Sequence, residues 1–177
     1  MRRGVFPGVI SNHHIGAMAG LGVTAAEMID YGESYASAII ENAKTLGGEL
    51  YSRGFNVLAE KNGFTESHTL LIDVKKQGGG KHVAEELEKN LIILNKNMIP
   101  GDSNTKAQDP SGIRIGTQEA TRIGMGKSEM SHIADLMDRA LKGSNVKDEV
   151  TELKKGFQEV RYCYGKERGY DFIELYR

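Results

Sequence analysis

Asn95-Lys96-Asn97-Met98-Ile99-Pro100-Gly101-Asp102, followed by Ser111-Gly112-Ile113-Arg114-Ile115-Gly116-Thr117, is the stretch on which the reading of this chain turns. Ile113 and Ile115 alternate with Arg114, so in a strand the two isoleucines face a core while the guanidinium points the other way. Gly112 and Gly116, one on each side, let another backbone or a small ligand come close. An arginine fork is the natural partner of a planar carboxylate. Two readings of Arg114 stand at this point: a carboxylate site, or an arginine on the solvent face of an edge strand, where arginines are common. Asn97 offers an amide that donates and accepts, and with Pro100 and Gly101 just beyond it, the residue also suits an ordinary turn.

Outward from that stretch the pattern alternates between helices and strands. Residues 1–12 form an irregular opening with a turn at Pro7-Gly8, and Ser11 or Asn12 is available to cap the first helix. Ile15, Met18, Gly22, Ala25 and Ile29, then Ile39, Ala43, Leu46 and Leu50, recur at helical spacing. This predicts one long helix capped by Gly54, with a kink or break at Asp30-Tyr31-Gly32-Glu33. Phe55–Ala59 and His68–Val74 are expected strands around a polar loop containing Asn62 and Gly63.

Gly78-Gly79-Gly80 precedes a helix marked by Val83, Leu87 and Leu91. The glycine run lacks the lysine-serine ending of a phosphate loop, so it is read as a flexible turn. Thr117 is expected to cap a helical segment carrying Glu119 in its first turn. Ser128 opens another helix closed by Gly143, and Val146, Val150, Leu153, Phe157, Val160 and Tyr164 predict a final helix. The fold class is α+β, with an opening segment and long connecting helix over 1–54 and an α+β domain over 55–177. The tail Gly169–Arg177 is rich in aromatic and aliphatic residues and is expected to dock on its own chain.

Composition narrows the function classes. At 177 residues the chain is long enough for one sizeable core. With 23 Lys and Arg against 24 Asp and Glu, nothing suggests a nucleic-acid or membrane-surface protein. The single cysteine, Cys163, offers neither an internal disulfide nor a metal spacing. No apolar run approaches membrane-spanning length and the N-terminus lacks a signal-peptide stretch, so a cytoplasmic location is expected. His13 and His14 are adjacent and point in different directions, which suits a capping or structural role better than a shared metal. His68, His82 and His132 are scattered, and no nucleophilic triad emerges from spacing.

At these residues a resemblance adds much more. The order Val5-Phe6-Pro7-Gly8, Asn95-Lys96-Asn97, Pro100-Gly101-Asp102, Ser111–Thr117 and Thr121-Arg122-Ile123-Gly124 resembles serine hydroxymethyltransferase, from residue 2 to about residue 142. His68 sits where that family has an Asn-His-apolar run. The resemblance implies the small C-terminal domain of a fold-type-I pyridoxal 5′-phosphate enzyme, usually a homodimer or a dimer of dimers. Such enzymes interconvert serine and glycine while passing one carbon to tetrahydrofolate or a related pterin. It gives Arg114 the place of the arginine that binds the substrate α-carboxylate and Asn97 that of an asparagine facing the pterin.

Two departures qualify these implications. The family's Schiff-base lysine lies in a Thr-rich His-Lys motif that occurs nowhere here, so no catalytic residue is expected in this chain and the chain alone is expected to be inactive. After Gly8 many members carry a glycine-rich loop lending amides to a neighbouring subunit's cofactor phosphate; here Val9–His14 is shorter, with Ser11 the residue that could still serve. The expected partners are glycine or serine, the one-carbon carrier, and either a second copy or a separate N-terminal half. The alternative is a non-catalytic module that binds an amino acid or a partner, or half of a split enzyme. The small domain of a threonine aldolase or an aminotransferase is a third reading, against which Asn95-Lys96-Asn97 argues.

Overall fold

The alternation at Ile113 and Ile115 does make a strand. In the computed structural model, which describes residues 12–165 together with Gly4, Gly8 and Val9, four short strands form one sheet. These are β1 (Asn56–Val57), β2 (Thr69–Asp73), β3 (Asn95–Asn97) and β4 (Gly112–Gly116). The order is β1-β2-β4-β3 and every pairing is antiparallel. Since β2 and β3 both oppose β4, they run parallel to each other, and the helix between them completes a split β-α-β unit. The architecture is α+β, as expected.

Helices accompany the sheet: α1 (Ile15–Ser52), α2 (Gly80–Lys89), α3 (Gln118–Arg122), α4 (Lys127–Leu141) and α5 (Lys147–Lys155). The chain divides into two compact units, Met1–Glu33 with Tyr162–Arg177, and Ser34–Arg161. In the first unit Tyr164 holds helical carboxylates: its hydroxyl donates to Asp30 Oδ2 at 2.7 Å and its amide to Glu27 Oε1 at 3.0 Å. Its ring meets Tyr31 edge-on, with centroids 5.8 Å apart.

The second unit holds the sheet and its core. Leu70 and Ile72 of β2, Val57 of β1 and Ile113 of β4 pack against Leu46 and Leu50 of α1, Val83 and Leu87 of α2, and Met130 and Met137 of α4. Each such fully buried aliphatic side chain contributes on the order of 1.5–3 kcal/mol. Asn42, itself buried, donates its amide to Thr121 Oγ1 and to the Met125 carbonyl, both at 2.9 Å, and so ties α1 to the α3–α4 connection. Arg122 lies over the Tyr35 ring at 5.4 Å.

The glycine run closes a turn and opens α2 against the sheet. A Cβ on Gly80 would stand 2.2 Å from the Gly112 carbonyl oxygen, and one on Gly112 would stand 2.3 Å from Ile99 Cγ2 and 2.8 Å from the Ile72 carbonyl oxygen. All three amides are committed, Gly78 to Lys75, Gly79 to Val74 and Gly80 to Pro110. None is left to cradle a phosphate.

Several expectations need correction. Helix α1 runs unbroken through Asp30–Glu33, because one interior glycine costs about 1 kcal/mol, too little to interrupt a helix propagating from both sides. The last helix ends at Lys155 and not at Tyr164. Gly156 is poorly suited to continue it, and Phe157 packs against the core from outside it. Leu91 lies beyond α2 with φ 65°. Thr117 caps nothing with its side chain; its hydroxyl donates to the Ile39 carbonyl at 3.1 Å. The expected docking of the Gly169–Arg177 tail lies outside the described residues.

Candidate functional site

The period of two that buries Ile113 leaves a second, polar face of the sheet. Register places Leu71 of β2 and Asn95 of β3 directly across from Arg114, and Gly112 and Gly116 are its neighbours along β4. Arg114 is exposed, and its Nη2 donates to Asn95 Oδ1 at 3.2 Å. Among the described residues it forms no salt bridge. Most other guanidinium groups among those residues are committed: Arg53 pairs with Glu49, Arg139 with Asp135 and Glu149, and Arg161 with Glu159. Among the described residues most of the Arg114 donors are therefore uncommitted, in the fork geometry that matches a carboxylate.

Asn97 shares that face. It pairs with Gly112, two residues along β4 from Arg114, so the two side chains are diagonal neighbours, ~7–8 Å apart in such a ladder. It is half-buried, and its Nδ2 donates to the Met98 carbonyl at 2.6 Å. The fold thus brings Arg114 and Asn97 together, as a shared polar face requires.

The loop between β3 and β4 is clasped at its base. Ile99-Pro100-Gly101-Asp102 is a tight turn in which the Asp102 amide donates to the Ile99 carbonyl at 3.0 Å and Gly101 takes φ 95°, a conformation open to glycine. The Asp102 carboxylate accepts the Ser111 amide at 2.9 Å and the Ile99 amide at 3.3 Å. Ser111, through its side chain and then its amide, holds that carboxyl below the usual aspartate range, with smaller help from Ile99 and Lys106. Lys106 Nζ donates to Ser111 Oγ at 3.1 Å and Lys96 Nζ to the Gln108 carbonyl at 2.7 Å. Sequence reasoning misses the joint role of Asp102 and Ser111; Pro-Gly-Asp is the turn signal that could have marked the clasp. Asn95 carries no signal of its own, because cross-strand register is not written in one strand.

The other candidates lie elsewhere. Ser11 is outside the described residues, as are Val5, Phe6 and Pro7. His13 and His14 are exposed, and no group of three or more His, Cys, Asp or Glu that could hold a metal ion occurs among the described residues. No helix there is long and apolar enough to cross a membrane. A 260 Å³ apolar cavity lies in the second unit between Leu91, Ile123, Ile133, Val150 and Leu153, bordered by Glu119 and Lys154.

Comparison with known proteins gives a family context for the chain. The family model for serine hydroxymethyltransferase matches residues 1–137. A serine hydroxymethyltransferase of Thermoplasma acidophilum is 63% identical over 99% of this chain, and that of Archaeoglobus fulgidus is 50% identical over 98%. The chain spans only 42% and 40% of their lengths. Among solved structures, an L-threonine transaldolase from Pseudomonas fluorescens superimposes with a TM-score of 0.78 at 27% identity, covering 92% of this chain and 38% of that one.

Proposed function

We propose, since this chain belongs to the serine hydroxymethyltransferase family, that its polar sheet face binds the α-carboxylate of serine or glycine in a pyridoxal 5′-phosphate enzyme that interconverts the two. The chain corresponds to the C-terminal portion of such an enzyme. Arg114 is the carboxylate anchor, and Asn97 turns its amide to the pterin ring of a reduced folate or related one-carbon carrier. Ser11 is the residue offered to the cofactor phosphate. The complete enzyme works in the cytoplasm as a homo-oligomer, or as this chain joined to a separate N-terminal half.

The observation that carries this reading is the guanidinium of Arg114, exposed between two glycines and held by one neutral amide oxygen. When bound, pyridoxal 5′-phosphate supplies an electron sink. The described residues do not fit its covalent anchor, which must be a neutral amine in a desolvated setting. No described lysine is buried, Lys96 is engaged by the Gln108 carbonyl, and Lys127 is paired with Glu41. This chain's contribution is binding and orientation of the substrate.

The test is Arg114→Lys in the complete enzyme. An ammonium cannot reproduce two parallel hydrogen bonds, so glycine and serine should bind more weakly by ~1.5–3 kcal/mol, the usual size for a hydrogen bond to a charged group, while the melting temperature barely moves. Calorimetric titration with glycine reads the first quantity, and unchanged affinity ends the assignment.

A further inference from the structure

We infer that Asn95 is a positioning residue for Arg114, a role that rests on the carboxylate reading of that arginine. Arg114 has four nearest neighbours on its sheet face: Gly112 and Gly116 along β4, Leu71 and Asn95 across it. Two have no side chain and one is aliphatic. Asn95 alone carries an acceptor, and its Oδ1 takes the Arg114 Nη2 hydrogen at 3.2 Å. Without that bond a long side chain on an open face samples many rotamers, and a ligand must arrest them on binding.

The chemical type of the acceptor matters as much as its presence. An amide oxygen fixes one N–H of the fork without cancelling the guanidinium charge, whereas a carboxylate at the same place would neutralise it and occupy the donors a substrate needs. Asn95 therefore orients the fork and leaves its positive charge to the ligand.

Four variants of the complete enzyme test this by titration with glycine: Asn95→Ala, Asn95→Asp, Arg114→Lys and the double variant Asn95→Ala with Arg114→Lys. Asn95→Ala should weaken glycine binding three- to tenfold. Asn95→Asp, isosteric and therefore no threat to the fold, should weaken it more than tenfold. With lysine at 114, removing the Asn95 amide should change affinity less than twofold, since the fork it orients is gone. A merely structural asparagine instead gives the same loss in both backgrounds, accompanied by a lower melting temperature, and that result overturns the inference. So does full affinity in both Asn95 variants while Arg114→Lys is impaired. If Arg114→Lys itself binds glycine normally, the anchor reading fails first and the positioning role fails with it.

Discussion

Asp102 shows how a single side chain sets the edge of the candidate site. A carboxylate whose folded pKa is depressed adds stability above its unfolded pKa, and that contribution is lost as pH falls through the folded pKa. The ordinary value is 3.8 and Ser111 holds Asp102 below it. The clasp is therefore complete at neutral pH and weakens only in acid. Replacing Asp102→Asn should lower the melting temperature at neutral pH, and the gap to the unsubstituted protein should narrow from about pH 5 to about pH 3. Thermal melts across that range check it; a gap independent of pH would detach the clasp from the Asp102 charge. Arg114 was legible in the sequence because alternation with two isoleucines fixes which way it points. Asn95 was not, since its place opposite Arg114 comes from the β3–β4 register.

Among the elements, the short strands and α2 hang together through buried polar joints. Asn90, buried at the end of α2, accepts the Val146 amide at 2.9 Å and donates to the Glu86 carbonyl at 3.1 Å. Asn90→Ala strands the fully buried Val146 amide, so stability to urea should fall by about 1–3 kcal/mol. By contrast, the exposed pair Lys44–Glu66 should cost under ~1 kcal/mol on Lys44→Ala. Equal midpoint shifts in the two variants would refute this ranking of buried over exposed contacts. The elements themselves were readable where burial enforces a period, as in β4 and α4. The last helix is shorter than its spacing predicts because Phe157, Val160 and Tyr164 continue the spacing of α5 while serving other contacts, Tyr164 with Glu27 and Asp30. Thr117 departs from the expected cap for a similar reason: a residue type that caps helices is here recruited by the Ile39 carbonyl.

For the whole molecule, the first turns of α1 carry the consequence. Ile15, Met18, Leu21 and Ile29 are exposed, Ile29 to 85%. A patch of exposed apolar side chains favours association. The purified chain should therefore self-associate, and Leu21→Lys with Ile29→Lys should shift it toward monomer without altering the melt of the sheet-bearing unit. Sedimentation velocity over a concentration series measures this, and a strict monomer at high concentration would count against it. The same purified chain should not interconvert serine and glycine, because no described lysine is desolvated enough to anchor the cofactor. Robust turnover by the chain alone, measured with added pyridoxal 5′-phosphate and tetrahydrofolate, would contradict that.

The approach of Gly80 to Gly112 has a genetic corollary. At both positions even one added carbon meets a carbonyl oxygen at no more than 2.8 Å, so a saturation library selected for growth should return glycine codons almost exclusively at 80 and 112. Neither residue has a functional group to lose. A survey that ranks positions by intolerance would set these two beside Arg114, and only a readout separating abundance of the folded protein from affinity for glycine would tell a packing constraint from the proposed binding role.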